Sequence, residues 1–272
     1  MAPGIAPLHS ARGGTLILDE VRLLLVEGRA VGDKELKEYM EVLGYADAAR
    51  WAYGQALAPG EWTTGDLVSI QVIRTLHHRT MTPVWNVAPH PDATPAESPG
   101  NWRQHEIHLF PEGMTPPSFT EIPHLISDWV DDANALRGSS TRPLAERLAK
   151  LHNGFEKVHP FLDGNGRTGR LVLNRMLVLL GYPPAIVFKN ERAKYLSAMR
   201  KADRGDFGPL GELVARAVTS NLYKFVVPAV AGPARLVPLV SLANEKTGPT
   251  VVSLRAAIKR GRLRAQKSPN DT

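Results

Sequence analysis

The chain has 272 residues, of which 43% are hydrophobic, enough for one large domain or one domain with a small module. It contains no cysteine, which excludes disulfides, thiolate chemistry and cysteine-based zinc sites. No apolar run approaches the ~18 residues of a membrane span, and the N-terminus lacks the pattern of a secretory signal, so we expect a cytoplasmic protein without a membrane segment.

The net charge of +6 is confined to the C-terminal end. Residues 233–272 hold eight Lys and Arg against two acids, whereas residues 1–232 hold 25 of each. A neutral body with a basic tail indicates two units with different partners. We therefore divide the chain into a flexible N-terminus (1–14), a main domain (15–227), a linker (228–238) and a basic tail (239–272).

Hydrophobic periodicity predicts helices along most of the main domain. In its N-terminal half we expect helices over residues 15–27, 33–58 and 66–79, with Pro83 stopping the third. A proline-rich stretch follows up to residue 117, and its alternating part, residues 102–110, predicts a short β-hairpin. The C-terminal half is predicted to be helical over residues 119–136, 143–158, 166–180, 191–204 and 207–226, with two short helices in the tail at 236–244 and 251–260.

Residues 159–170 read His-Pro-Phe-Leu-Asp-Gly-Asn-Gly-Arg-Thr-Gly-Arg and lie between two of these helices. The preceding helix is amphipathic, and the following one is apolar on nearly all sides. A glycine-rich turn at the start of a helix binds anions, because unpaired N–H groups and the positive end of the helix dipole converge there. The segment therefore indicates phosphoryl or nucleotidyl transfer.

The turn itself suits phosphate and metal. Gly164, Asn165 and Gly166 would cradle the α-phosphate, with the Asn165 side chain as an additional donor. Asp163 is the candidate ligand for Mg²⁺, which commonly takes one or two protein carboxylates together with substrate phosphates and water.

The basic residues of the segment supply the remaining chemistry. Arg167 and Arg170 lie three residues apart on one helix face, where both can grip phosphate oxygens. His159 is the candidate general base toward an attacking hydroxyl, because histidine titrates near neutral pH. His152 is expected to have a packing or supporting role, and the other histidines, including His77, to be surface or satisfied residues.

The segment matches the signature H-x-F-x-[D/E]-G-N-G-R-x-x-R at every fixed position, so the chain resembles the Fic (filamentation induced by cAMP) family. The resemblance implies an all-α fold, a Fic-type helical bundle with a small β-hairpin flap. It also implies a protein adenylyltransferase that uses ATP and Mg²⁺ to transfer AMP to a Tyr, Thr or Ser hydroxyl of a target protein. Family members are often dimers, so a homodimer is a further expectation.

Residues 102–110 resemble the family's flap, a hairpin that lies over the active site and binds an extended target segment by strand addition. His105, Ile107 and Leu109 would belong to this flap. By the same resemblance, Tyr195 and Asp203 would lie near the nucleoside. A plain surface hairpin, and an ordinary core position for Tyr195, are the alternatives.

The N-terminal helix ends in Glu27-Gly28 and resembles the family's inhibitory motif [S/T]-x-x-x-E-[G/N]. In that family the glutamate reaches the second arginine of the loop, here Arg170, and the resemblance implies autoinhibition by Glu27. Leu23 stands where the motif has Ser or Thr, so the match is partial. A solvated glutamate at a helix end is the alternative.

Residues 250–267 resemble the recognition-helix end of excisionase or MerR-type helix-turn-helix modules, whose basic surface meets DNA phosphates. A solvated basic tail is the alternative. Two other functions stay open beside adenylyl transfer. One is removal of AMP from a modified target, with Glu27 positioning a water; the other is a DNA-binding regulator or toxin–antitoxin component that uses the tail.

Overall fold

The computed structural model describes residues 18–30, 34–58, 65–107, 115–230, 239–243, 249–263 and 265. These residues are helical or irregular, and no strand occurs among them, so the all-α prediction is confirmed. The predicted hairpin is not seen in its described part, because residues 102–107 are irregular, and residues 108–110 lie outside the described residues. By backbone proximity the chain divides into two compact units, Met1–Val226 and Val227–Thr272.

The helices of the first unit are α1 (Leu18–Arg22), continued by a π-helical turn (Leu23–Glu27), α2 (Leu36–Leu57), α3 (Ile70–Val87), α4 (Ile122–Asn134), α5 (Leu144–Val158), α6 (Asn165–Leu179), α7 (Arg192–Ala202) and α8 (Gly208–Asn221), continued by a second π-helical turn (Leu222–Val226). Short 3₁₀ turns lie at Pro95–Glu97, Phe119–Glu121, Ala135–Arg137 and Lys189–Glu191. The second unit contains α9 (Val227–Val230), α10 (Leu239–Ala243) and α11 (Val251–Lys259). Among the described helices, none is both long and apolar enough to cross a membrane.

The core of the first unit is built around α6, which is buried along most of its length as the sequence predicted. Leu171 of α6 packs in one apolar cluster with Ile73 of α3, Ile126 of α4 and Phe155 of α5. The indole N–H of Trp129 on α4 donates to the Leu151 carbonyl of α5 at 2.8 Å. Helix α5, which ends just before His159, and helix α6, which begins at Asn165, are therefore fixed from several sides.

Helix α3 differs from the prediction at both ends. It begins after Ser69, whose hydroxyl accepts from the Val72 N–H at 3.2 Å, and it continues through Pro83 to Val87. An internal proline removes one backbone hydrogen bond and strains the helix, but the following turn is retained because it buries Val84 in the core. Tertiary burial overrides the local stop signal here.

The second unit contains the predicted short helices of the tail. Helix α11 begins after Thr250, whose hydroxyl caps it by accepting from the Ser253 N–H at 3.2 Å. Part of the tail lies outside the described residues, namely residues 244–248 and, within the segment predicted to bind DNA, residues 264 and 266–267. DNA contact through 250–267 stays a prediction.

Candidate active site

His159 is the residue that ends α5, and its backbone is held in an uncommon conformation. Its φ of 47° and ψ of 58° are left-handed, and it is the one non-glycine residue with positive φ in the described part of the chain. Its N–H donates to the Phe155 carbonyl at 3.2 Å, and its Nδ1 lies 3.3 Å from the Glu156 carbonyl oxygen. The left-handed turn ends the helix and directs the chain into the loop.

The Asn165 side chain closes the loop between α5 and α6. Its Oδ1 accepts from the Phe161 N–H at 2.9 Å, and its Nδ2 donates to the Phe161 carbonyl at 2.7 Å. Both Asn165 and Phe161 are buried. The Asn165 side chain therefore braces the loop, and its contact with a phosphate stays a prediction.

His77 of α3 packs against the loop and supports it. Its ring stacks on Phe161 with ring centres 3.6 Å apart and planes 1° from parallel. The Gly100 N–H donates to its Nδ1 at 2.8 Å, and its Nε2 lies 2.9 Å from the Asp163 carbonyl oxygen. An amide N–H only donates and a carbonyl only accepts, so His77 is neutral with its proton on Nε2. Burial, the dominant effect, lowers the pKa of His77 to about 3.

The turn at Gly164 requires glycine. Its φ is 76°, and a Cβ there would lie 2.6 Å from the sulfur of buried Met81. Helix α6 begins at the next residue, so the first N–H groups of a core helix, which have no acceptor within the helix, lie at this turn. Unpaired N–H groups at the start of a helix can bind an anion, and phosphate binding at 164–166 stays a prediction.

Asp163 and Arg167 lie side by side at the start of α6. The Asp163 Oδ1 accepts from the Gly164 N–H at 2.6 Å, and its Oδ2 lies 3.5 Å from the Arg167 Nη2. On its other side the Arg167 Nη1 lies 3.4 Å from Oε1 of Glu41 on α2. The Arg167 side chain is 6% exposed, so its charge is shared by two carboxylates in a largely buried setting.

Asp163 is the predicted metal ligand of this site. The described residues contain no group of three or more His, Cys, Asp or Glu that could hold an ion by themselves. The side chain of Asp163 is 14% exposed and is oriented by its bond to the Gly164 N–H. One oriented carboxylate fits Mg²⁺ that is held mainly by substrate phosphates and water.

Arg170 projects from the next turn of α6 toward a small open pocket. The pocket is lined by Arg170, Val187, Phe188, Arg192 and Tyr195. Burial raises the pKa of Tyr195, and the nearby Glu156 raises it further, while the Arg170 guanidinium partly offsets both. The structure thus brings the predicted nucleoside residue Tyr195 next to the second arginine of the loop.

Side chains of α5 hold Tyr195 and Asp203 in place. The Tyr195 hydroxyl lies 2.8 Å from Nε2 of His152, and burial lowers the pKa of His152 to about 3. Asp203 accepts from the Asn153 side chain at 2.7 Å through Oδ1 and from Lys157 at 3.1 Å through its carbonyl. Asp203 thus joins the end of α7 to α5, and its contact with a nucleoside stays a prediction.

The described part of the predicted flap is anchored to the protein. His105 Nδ1 lies 2.9 Å from Oε1 of Glu97, whose side chain is fully buried. Burial by itself would raise the pKa of Glu97, but hydrogen bonds from Gln104 and Thr94 and the nearby His105 hold it below its usual range. Ile107 is buried, so its side chain is not available to a target, and Leu109 lies outside the described residues.

Glu27 does not reach Arg170 in this structure. Its carboxylate is half-exposed and lies 3.5 Å from Nη1 of Arg29, and among the described residues no ion pair joins it to Arg170. Gly28 follows with φ of 68°, as expected for the end of the helical turn. The inhibitory contact that the resemblance implied is therefore not made here, and the inhibitory role of Glu27 stays a prediction.

Sequence reasoning missed three residues that hold the site: His77, Glu41 and Arg103, whose Nε donates to the His159 carbonyl at 3.0 Å. His77 had a readable signal, because it lies four residues after Ile73 on the buried face of α3. Arg103 and Glu41 had none, since Arg103 lies in an irregular segment and Glu41 has the pattern of an ordinary charge on a helix surface.

Comparisons with known proteins agree with this geometry. Residues 67–177, from just before α3 to near the end of α6, match the Fic/DOC family. The chain is 29% identical over 244 residues to a protein adenylyltransferase Fic of Drosophila willistoni, covering 90% of this chain and 45% of that protein. It is 30% identical over 215 residues to the protein adenylyltransferase fic-1 of Caenorhabditis elegans, covering 79% of this chain and 39% of the relative.

Solved structures show the same fold. The structure of Fic-1 from C. elegans superposes with a TM-score of 0.65 at 28% identity, covering 81% of this chain and 61% of that one. The chain spans less than half the length of the curated relatives described above. The predicted family is confirmed for the part of the chain that holds the loop: residues 67–177 form a Fic/DOC family domain.

Proposed function

We propose that this chain is a protein adenylyltransferase, which transfers AMP from ATP to a hydroxyl side chain of a target protein. The observation that carries the proposal is the loop at 159–165, where a buried histidine, an oriented carboxylate and the N-terminus of a core helix converge. Relatives named as protein adenylyltransferases over most of this chain support the same activity.

In the proposed reaction His159 takes the proton from a Tyr, Thr or Ser hydroxyl of the target. The hydroxyl oxygen then forms a bond to the α-phosphorus, while the bond from that phosphorus to the bridging oxygen breaks and pyrophosphate leaves. Arg167, Arg170 and the N–H groups at the start of α6 stabilise the charge that develops on the phosphate oxygens. The pocket beside Arg170 and Tyr195 is the proposed place of the nucleoside.

Asp163 would hold Mg²⁺, which when bound neutralises phosphate charge and helps to orient the triphosphate. The carboxylates of Asp163 and Glu41 both face Arg167, so an incoming triphosphate meets negative charge as well as positive. Binding of ATP as its magnesium complex relieves that repulsion.

The target would dock by strand addition to the flap segment that begins at residue 102, with backbone bonds aiming its hydroxyl at His159. Glu27 would limit activity by a rearrangement that brings it to Arg170. A cation such as Arg170 that is engaged by a carboxylate is less available to a phosphate.

The decisive experiment incubates ATP labelled at the α-phosphate with host lysate and the wild-type protein or the Glu27→Gly, His159→Ala or His124→Ala variant. Label should appear on a protein with the wild type and increase with Glu27→Gly. It should fall by about 10²-fold or more with His159→Ala. His124→Ala is the matched control, because His124 is exposed on α4 and should leave labelling unchanged.

Two outcomes would contradict the proposal. Absence of label with both the wild type and Glu27→Gly would remove adenylyl transfer as the function. Undiminished label with His159→Ala would remove His159 as the general base. Melting temperature and ATP binding of His159→Ala, measured in parallel, show that a loss of label is not a loss of fold.

A further inference from the structure

Among the described residues, Arg103 is the largest of the almost fully buried side chains, at 1% exposure. Its guanidinium donates from Nε to the His159 carbonyl at 3.0 Å, from Nη1 to the His105 carbonyl at 3.0 Å and from Nη2 to the Pro117 carbonyl at 2.5 Å. Its backbone N–H donates to the Pro160 carbonyl at 2.9 Å. One residue thus binds the backbone at the end of α5 and on both sides of residues 108–114.

The burial of the Arg103 guanidinium depends on these hydrogen bonds. Burying a guanidinium is unfavourable unless its donors are satisfied, and the nearest carboxylate, on half-exposed Glu106, is 3.7 Å from Nη1. Arg103 is therefore satisfied mainly by backbone carbonyls. A hydrophobic side chain could fill the same space, but it could not bind three converging carbonyl oxygens.

The carbonyl bound by Nε belongs to a residue with an uncommon backbone conformation. His159 has positive φ, a conformation that costs roughly 1–2 kcal/mol in a residue other than glycine and persists when its surroundings hold it. Arg103 holds its carbonyl from the flap side, and Phe155 holds its N–H from α5. The direction of the imidazole follows from that backbone.

We propose that Arg103 is a positioning residue, which fixes the backbone of the general base His159 and couples it to the root of the segment where the target docks. This inference rests on the proposed adenylyl transfer. It adds that one side chain fixes both the orientation of His159 and the backbone at His105 and Pro117, on either side of residues 108–114. A change that loosens one of these contacts should therefore loosen the others. A displacement of about 1 Å of a catalytic group can reduce the rate by 10²-fold.

The test compares Arg103→Lys with Arg74→Lys in the wild-type background. Lysine keeps the charge at position 103 but not the fork that reaches three carbonyls. Arg74 is the matched control, because it donates to Gly100 in the same segment and lies over the ring of Trp102 without contacting His159. For Arg103→Lys we expect kcat for AMP transfer to fall by about 10- to 100-fold with KM for ATP changed less than twofold, and for Arg74→Lys we expect little change.

A second readout does not depend on activity. The ring resonance of His159, assigned by its absence in His159→Ala, should shift or broaden in Arg103→Lys and stay in place in Arg74→Lys. If the wild type transfers no AMP, the proposed function fails, and this resonance still tests the positioning role. An unchanged kcat, or an unchanged His159 resonance, in folded Arg103→Lys would overturn the inference.

Should Arg103→Lys fail to fold, the same measurements are made on Glu106→Gln. Glu106 is half-exposed, and its carboxylate lies beside both the Arg103 guanidinium and the Ser118 hydroxyl, so its loss loosens Arg103 without emptying the core. We expect a shifted His159 resonance and a fall in kcat of about threefold. A resonance and a kcat both equal to those of the wild type would then overturn the inference.

Discussion

Lowering the pH should destabilise the protein through His77, the residue that supports the loop. The ring accepts from the Gly100 N–H through Nδ1, so a proton added at Nδ1 would face that hydrogen and break the bond. The pKa of His77 is lowered from 6.5 to about 3, mainly by burial; the nearby Arg167 and His78 contribute to this lowering, while Asp163 opposes it. The folded state thus disfavours the charged ring that the unfolded state accepts.

The size and sign of the effect follow from linkage. Between pH 6.5 and about 3 the unfolded chain binds a proton at His77 and the folded protein does not, so stability falls as the pH falls. The slope is about 1.4 kcal/mol per pH unit, which amounts to a loss of about 2 kcal/mol between pH 7 and pH 5 from this one residue. The stabilisation is fully present above the unfolded pKa.

Urea unfolding of the wild type and of His77→Gln at pH 7, 6 and 5 isolates this contribution. The difference in unfolding free energy between the two proteins should shrink by about 2 kcal/mol over that range, because glutamine does not titrate. Thr80→Val on the same helix is the control: it removes the buried bond from the Thr80 hydroxyl to the Leu76 carbonyl, and its effect should not depend on pH. A difference between wild type and His77→Gln that stays constant with pH would refute the assignment of His77 as a neutral support.

Two further predictions concern the packing and the charge around the loop. Gly44→Ala should destabilise the protein by about 3 kcal/mol or more, because the added Cβ would overlap the backbone carbonyl oxygen of Thr80. Gly54→Ala on the same helix is the control: its Cβ would meet no atom within 4 Å, and the variant should be more stable by about 0.5–1 kcal/mol. Chemical unfolding measures both, and similar values for the two variants would contradict the close approach of α2 and α3. Glu41→Gln should tighten binding of Mg-ATP by about three- to tenfold in calorimetry at low salt, because it removes a negative charge beside Arg167; weaker binding would mean that Glu41 holds Arg167 in a useful position instead.

The sequence predicted the helices around the loop well, because their signals are local. The apolar stripe before His159 and the glycine after Leu180 define α5 and the end of α6 without reference to distant residues. Pro83 misled for the converse reason: its effect on the local backbone is real, but burial of Val84 against the rest of the core outweighs it.

For the candidate site, the sequence predicted which residues lie together in the loop but not what holds them. Asn165 is the clearest case, because an amide in a phosphate-binding turn indicates a phosphate donor, yet both of its polar atoms bind the Phe161 backbone. The contact of His77 with Asp163 spans 86 residues and that of Arg103 with His159 spans 56. No pattern within a helix or a turn encodes such pairings.

Contacts from residues that are distant in the sequence explain how a glycine-rich loop can form a rigid site. Residues 159–170 contain three glycines, which lower the backbone cost of the turn but also increase the entropy that folding must overcome. Three long-range braces offset that freedom from different sides: His77 holds the Asp163 carbonyl from α3, Arg103 holds the His159 carbonyl from the flap root, and Glu41 holds the Arg167 guanidinium from α2. Because each brace contacts a different residue of the loop, loss of His77 should loosen the proposed metal site, and loss of Arg103 should loosen the proposed proton transfer, before either unfolds the whole. Loss of Glu41 should instead leave Arg167 more available to a phosphate.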